Sequence, residues 1–196
     1  MTDPPFAKLT GDLAAIAPLL DLPPSAAAAM RPCKQVPEGL AALESGGFLA
    51  EAARLFAHAL PRREAVWWAC MCAAHTAPSD LPQPDHSARE AAETWVRQPT
   101  EPNRREAMRR AEAAGFGTPE AWAAVAVFWS GGSMAPEGQP AVPPAPHLAG
   151  TAVVGAVTLA AVRGHPAHRD ARLARFLESA RAIADGGAGR LAPETA

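Results

Sequence analysis

The chain has 196 residues, 48% hydrophobic and 19% charged, with a formal net charge of -2. That length bounds it to one domain or two small ones, and the apolar share excludes a disordered chain. The near-neutral balance excludes a generally basic nucleic-acid binder.

At the N-terminal end, residues 7–20 place Leu9, Leu13, Ile16, Leu19 and Leu20 at helical spacing, with Pro18 weakening the last turn. Pro23, Pro24, Pro32 and Pro37 break 21–37, leaving room for a short helix over Ser25–Arg31. From Gly47 to Leu60 the pattern is amphipathic. Phe48, Ala52, Leu55, Phe56 and Ala59 share one face, and Glu51, Arg54 and His58 lie on another. Pro61 stops that helix and can open the next, over 62–76. There the run from Val66 to Ala74 is apolar all round, as in a helix buried among others.

Residues 77–85 form a proline-punctuated loop, and Asp85 or Ser87 could cap a helix carrying Ala88, Ala91, Ala92, Trp95 and Val96. Pro99 to Pro102 make a turn before an arginine-rich helix that starts at Asn103 and ends at Gly115. Thr118 and Pro119 then suit the cap and first position of a helix reaching about Ser130, apolar through Trp122, Val125, Val127, Phe128 and Trp129. Gly131 and Gly132 end it, and a proline-rich loop covers 135–147. A third apolar helix spans 148–162. Gly164 and Pro166 precede a last amphipathic helix, with Leu173, Phe176, Leu177, Ala180, Ile183 and Ala184 inward and Arg172, Arg175 and Glu178 facing away.

No segment alternates with the period of a strand. The expected fold is all-α: an irregular bundle of about seven to nine helices with three apolar central helices. Stacked helical hairpins are the alternative, suggested by the echo of Pro61–Ala65 in Asn103–Ala107, 42 residues on. Residues 1–186 make a single helical domain and 187–196 a flexible C-terminal tail.

The chemical signals are sparse. Cys70, Met71, Cys72 and His75 suit a soft metal, but Cys70 points away from the other ligands, and buried cysteines are ordinary core residues. His165 and His168 lack any metal-site context. Ser130-Gly131-Gly132-Ser133 lacks the lysine, strand and helix of a phosphate loop and reads as a helix stop. Glu101, Glu106 and Glu112 interleave with Arg104, Arg105, Arg109 and Arg110, which favours intrahelical pairs on a solvated face. No cofactor, metal or catalytic residue is expected. The stretch Pro136–Pro146 is either an ordered strap or a partner-docking loop. As a docking loop it would bring Trp129, Ser133, Met134, Pro136, Pro143 and Pro144 to a partner.

The N-terminal residues show no signal peptide, and the longest apolar run, Leu148 to Val162, is shorter than a membrane span. Three cysteines with no evident pairing suit a reducing compartment, so a cytoplasmic protein without membrane insertion is expected.

Several blocks within 57–163 carry a resemblance. They are Ala57–Cys70, Ala92–Val96, Glu112–Pro119 and Phe128–Pro136. They resemble an uncharacterised bacterial all-helical family of unknown function. That resemblance implies occurrence near type VI secretion genes, close to spike-tip and adaptor proteins, and carries over no catalytic residue. The function expected is a non-enzymatic protein-interaction module, an adaptor or chaperone-like accessory of type VI secretion. Its partner would be an effector, spike-tip or adaptor component. The alternative is a small enzyme or ligand-binding helical domain with an interhelical pocket near Trp129–Ser133.

Overall fold

Local signals set most helix starts. Thr100 and Thr118 each accept a hydrogen bond from the third amide of the helix that follows, Asn103 and Ala121. Proline stands in the first turn of five helices, where a missing N–H costs nothing. The computed structural model describes residues 6–194. It holds ten α-helices: α1 (Leu13–Ile16), α2 (Pro24–Met30), α3 (Val36–Ser45), α4 (Leu49–Ala59), α5 (Arg62–His75), α6 (Gln83–Arg97), α7 (Glu101–Ala114), α8 (Pro119–Phe128), α9 (Leu148–Val162) and α10 (Arg169–Ala184). Two short 3-10 turns, Ala17–Leu19 and Pro166–His168, complete the set, and no strand occurs among the described residues.

Several helix boundaries differ from expectation. Residues 7–20 are not one helix. Asp12 caps a start at Leu13, and the helix tightens to a 3-10 turn at Ala17–Leu19, which contains Pro18. Pro37 does not break the chain as expected but sits in the first turn of α3, and the Glu38 carboxylate accepts from the amides of Lys34 (2.7 Å) and Gln35 (3.4 Å). Helix α6 starts at Gln83, upstream of Asp85 and Ser87, and α7 at Glu101, upstream of Asn103. Asp85 is buried and accepts from Thr118 Oγ1 at 2.7 Å, tying α6 to the start of α8.

Helices α5, α8 and α9, the three apolar ones, pack on one another at the centre. The α6–α7 hairpin covers α8, while α4 and α10 cover α5 and α9. Helix α8 presents Ala121, Ala123, Ala124 and Ala126 with no exposed surface, and such small side chains let neighbouring backbones approach closely. The large core side chains include Trp68, Phe56 and Phe176; Trp68 satisfies its indole N–H on the Phe176 carbonyl at 2.8 Å. No single helix among the described residues is long and apolar enough to cross a membrane.

One end of the core is ionic. Glu120, in the first turn of α8, is fully buried, and the Arg163 guanidinium grips both its carboxylate oxygens while also reaching the Ala73 carbonyl at 3.3 Å. Arg172 does not face away from the bundle. It is buried, donates to the carbonyls of Ala161 and Arg163, and pairs with Glu194 at 2.7 Å. The expected loose tail is therefore docked over 187–194. Trp67 Nε1 donates to the Ala188 carbonyl (2.7 Å), Ser179 Oγ to that of Gly189, and the Glu194 amide to that of His75 (2.7 Å). The physical reason is that the half-buried indole of Trp67 on α5 and the buried hydroxyl of Ser179 on α10 have carbonyls of this segment as their acceptors.

Arg163→Leu would leave Glu120 charged and unpaired in the core at a cost of about 3–5 kcal/mol. Adding Glu120→Leu is expected to recover most of that loss, as read by equilibrium urea unfolding of both variants.

Candidate functional site

A helix buried on every side cannot hand its last carbonyls to water. At the C-terminal end of α8 they go to arginines instead. Arg104 of α7 is 4% exposed; its Nη1 donates to the Phe128 carbonyl at 2.6 Å and its Nη2 to the Ser133 carbonyl at 2.7 Å. Its remaining donors hold Glu101 at 2.6 and 2.7 Å, and its guanidinium lies 4.5 Å from the centre of the Phe128 ring. Arg62 of α5 donates to the Ser130 carbonyl at 2.6 Å. Two cations thus meet the negative end of the α8 dipole.

Arg104 does not lie on the solvated face expected for it: it is buried, and only Arg109 and Arg110, paired with Glu106 at 2.5 and 2.7 Å, behave that way. The echoed arginines Arg62 and Arg104 are the first residue of α5 and the fourth of α7, yet they converge on the same helix end. Gly132 is required beside them. It has φ of 65°, and a Cβ there would stand 2.8 Å from Arg104 Nε and 2.9 Å from Glu101 Oε2.

The loop that follows is tied down along its first limb. Ser133 Oγ accepts from the amides of Ala135 (3.1 Å) and Val142 (3.0 Å), the Met134 amide bonds the Val142 carbonyl (2.8 Å), and Arg105 donates to the Ala135 carbonyl (3.2 Å). Between this limb and α7 lies an open groove of about 550 Å³. Pro102, Met108, Phe128, Met134 and Pro136 give it apolar surface, and Glu101, Arg105, Arg109, Glu112 and Glu137 its charged edge.

Of the residues singled out in the sequence, Met134 and Pro136 line this groove. Ser133 instead organises the loop from within. Trp129 turns to Trp122, ring centres 6.2 Å apart at 70°, and does not line the groove. Pro143 is exposed and Pro144 half-buried on the outer limb, outside the groove lining. Met108, Phe128 and Arg105 were not anticipated. The available signal was Met108, a large apolar side chain in a run of charged ones.

The other clusters bring no ligands together. Cys70 and Cys72 are fully buried, and burial pushes both thiols well up. His165 and His168 stand with ring centres 5.8 Å apart on the surface, and His165 Nδ1 accepts from the Ala167 amide. No group of three or more His, Cys, Asp or Glu with metal-site geometry occurs among the described residues.

The groove and its clasp fall within a region shared with other proteins. The model of a family of unknown function, DUF6931, matches residues 39–184. The chain belongs to that family. The DUF6931 region runs from the first turn of α3 to the end of α10 and contains every groove residue, whereas α1 and α2 precede it. This accords with the resemblance to a helical family of unknown function drawn from the sequence. Neither the curated proteins nor the solved structures include a match to the chain.

Arg104→Met is expected to lower stability by about 3 kcal/mol, since it strands buried carbonyls at the end of α8. Thermal and urea unfolding measure this. The hydrogen bond from Arg104, then its charge, holds the Glu101 carboxyl below its usual range despite partial burial. The folded state therefore binds this proton more weakly than the unfolded state does. Glu101 contributes stability at neutral pH that is lost as pH falls through its depressed value. The stability gap between the wild type and Glu101→Gln should narrow steadily as pH is lowered from 7 to 3.

Proposed function

We propose that the chain is a non-enzymatic protein-interaction module, an adaptor or chaperone-like accessory protein. Its groove between α7 and the limb at 133–137 docks a segment of its partner. The observation that carries this reading is the pairing of an adaptable floor with a rigid frame. Met108 and Met134 are flexible, polarizable side chains suited to varied apolar anchors, and Phe128 adds a flat surface between them. The frame around them is held by the buried Arg104.

The polar groups at the edge support a binding role over a catalytic one, because they are engaged with each other. Glu101 is bound by Arg104 and Arg105, and Arg109 by Glu106. Glu112 is exposed on the lining with no ion-pair partner among the described residues, and Glu137 meets Arg105 only at 3.6 Å, so the segment that fits best has apolar anchors and a basic flank. The class of partner follows from the resemblance: a type VI secretion effector, spike-tip or adaptor component, met in the cytoplasm before export.

Co-expression with the spike-tip, adaptor and effector proteins of a type VI cluster from the same genome, followed by size-exclusion chromatography, tests this. One of them is expected to co-elute with the wild type, and Met134→Asp, at a half-exposed position, is expected to abolish co-elution without lowering the melting temperature. Co-elution with none of them, or with wild type and Met134→Asp alike, would contradict the proposal.

A further inference from the structure

A second concavity lies at the N-terminal edge, ahead of the family-matched region, and shares no residue with the α7 groove. It is an open trough of about 700 Å³ between α1, with its 3-10 continuation, and α2. Leu13 and Met30 are rooted in the core at its base, while Ala14, Pro18 and Ala27 are exposed along its walls. Helix α1 packs on α4, and α2 packs on α3, so both are covered from the bundle side only.

The walls are pinned. Arg54 of α4 donates to the carbonyls of Leu20 (2.9 Å) and Asp21 (3.2 Å), holding the turn between the helices, where Asp21 keeps a left-handed φ of 46°. The Glu38 carboxylate fixes the far end through the Lys34 amide.

The charge of the trough decides its occupant. Arg31 and Lys34 are exposed on its edge, and no carboxylate lies within ion-pair distance of either among the described residues. Asp21 is the acidic residue on the lining, and the nearby Glu38 carboxylate is taken up by the Lys34 and Gln35 amides, so Arg31 and Lys34 are the cations without a side-chain partner along this edge. An open trough with an apolar floor is the shape that takes the apolar face of a helix, whereas small-ligand sites enclose most of their ligand.

We propose that this trough is a second docking site, whose occupant is an amphipathic helical segment of a protein partner bearing acidic residues beside its apolar face. Leu13, Leu22 and Met30 receive the apolar side chains, and Arg31 and Lys34 pair with the acidic ones. With the α7 groove suited to a basic flank, the molecule presents two sites of opposite preference, the arrangement a bridging adaptor needs. This site stands whether or not the α7 groove binds a secretion component.

Cys33 lies half-exposed in the trough, whereas Cys70 and Cys72 are fully buried, so a thiol reagent reports on this site in the folded protein. The probes are two synthetic helical peptides with leucines at i, i+3, i+4 and i+7, one with glutamates and the other with lysines at the remaining positions. By fluorescence anisotropy at low salt, the glutamate peptide should bind about 10-fold more tightly, the scale of two exposed ion pairs. Added salt should shrink the difference.

The glutamate peptide should also protect Cys33 from alkylation. The double variant Arg31→Glu with Lys34→Glu, both at exposed positions, should invert the preference at unchanged melting temperature. Met134→Asp, in the other groove, should change none of this. Binding of neither peptide, equal binding of both, a preference untouched by the charge reversal, or an unprotected Cys33 would each overturn the proposal.

Discussion

Helix α8 is enclosed along its whole length, and both of its ends must be satisfied by protein groups in place of water. That constraint organises the rest of the molecule. At the C-terminal end the carbonyls of Phe128 and Ser130 are taken by Arg104 and Arg62, contributed by α7 and α5. At the other end Thr118 accepts from the Ala121 amide, and the buried side chain of Glu120 is held by Arg163, just past α9. Each arginine satisfies α8 and in doing so fixes a neighbouring helix against it. Arginine suits the task because one planar group presents five donors and keeps its charge when buried.

The same constraint produces the groove and docks the chain's last described residues. Arg104 closes the helix and also reaches the Ser133 carbonyl, so the loop leaving α8 is set beside α7. Ser133 then folds that loop on itself, and the methionines of the loop and of α7 come to face one opening. At the opposite end the backbone of Arg163 is held by Arg172, which in turn holds Glu194. Hydrogen bonding from Arg172, and then its charge, keeps the Glu194 carboxyl below its usual range, so at neutral pH that latch is fully charged. Residues that read as a frayed tail are the outer end of this ionic chain.

Much of this was legible in the residue pattern. The three apolar helices and the amphipathic α4 and α10 follow from periodicity, and Thr118 with Pro119 marked the start of α8 to the residue. Helix α3 was hidden because Pro37 suits a helix start as well as a break, and only the Glu38 carboxylate on the preceding amides separates the two. The buried arginines were hidden for a different reason. A wheel of α7 puts Arg104 among charged neighbours and cannot show that the end of another helix lies opposite. Met134 and Pro136 were accessible as loop residues, but Met108 and Phe128 become site residues only once α7 and the end of α8 are adjacent. Opposed charge patterns at the two grooves depend in the same way on tertiary neighbours.

The central claim is that the Arg104 clasp couples the end of α8 to the shape of the α7 groove. Amide hydrogen exchange in Arg104→Lys tests it most directly, because lysine keeps the charge but cannot span the same acceptors. Exchange at Met134, Ala135 and Val142, whose amides are held by the folded loop, should accelerate by at least about 10-fold, equivalent to roughly 1.4 kcal/mol of local protection, beyond any change in the core of α5 and α9. Unchanged exchange at those three amides, or a uniform acceleration that spares no helix, would contradict the account.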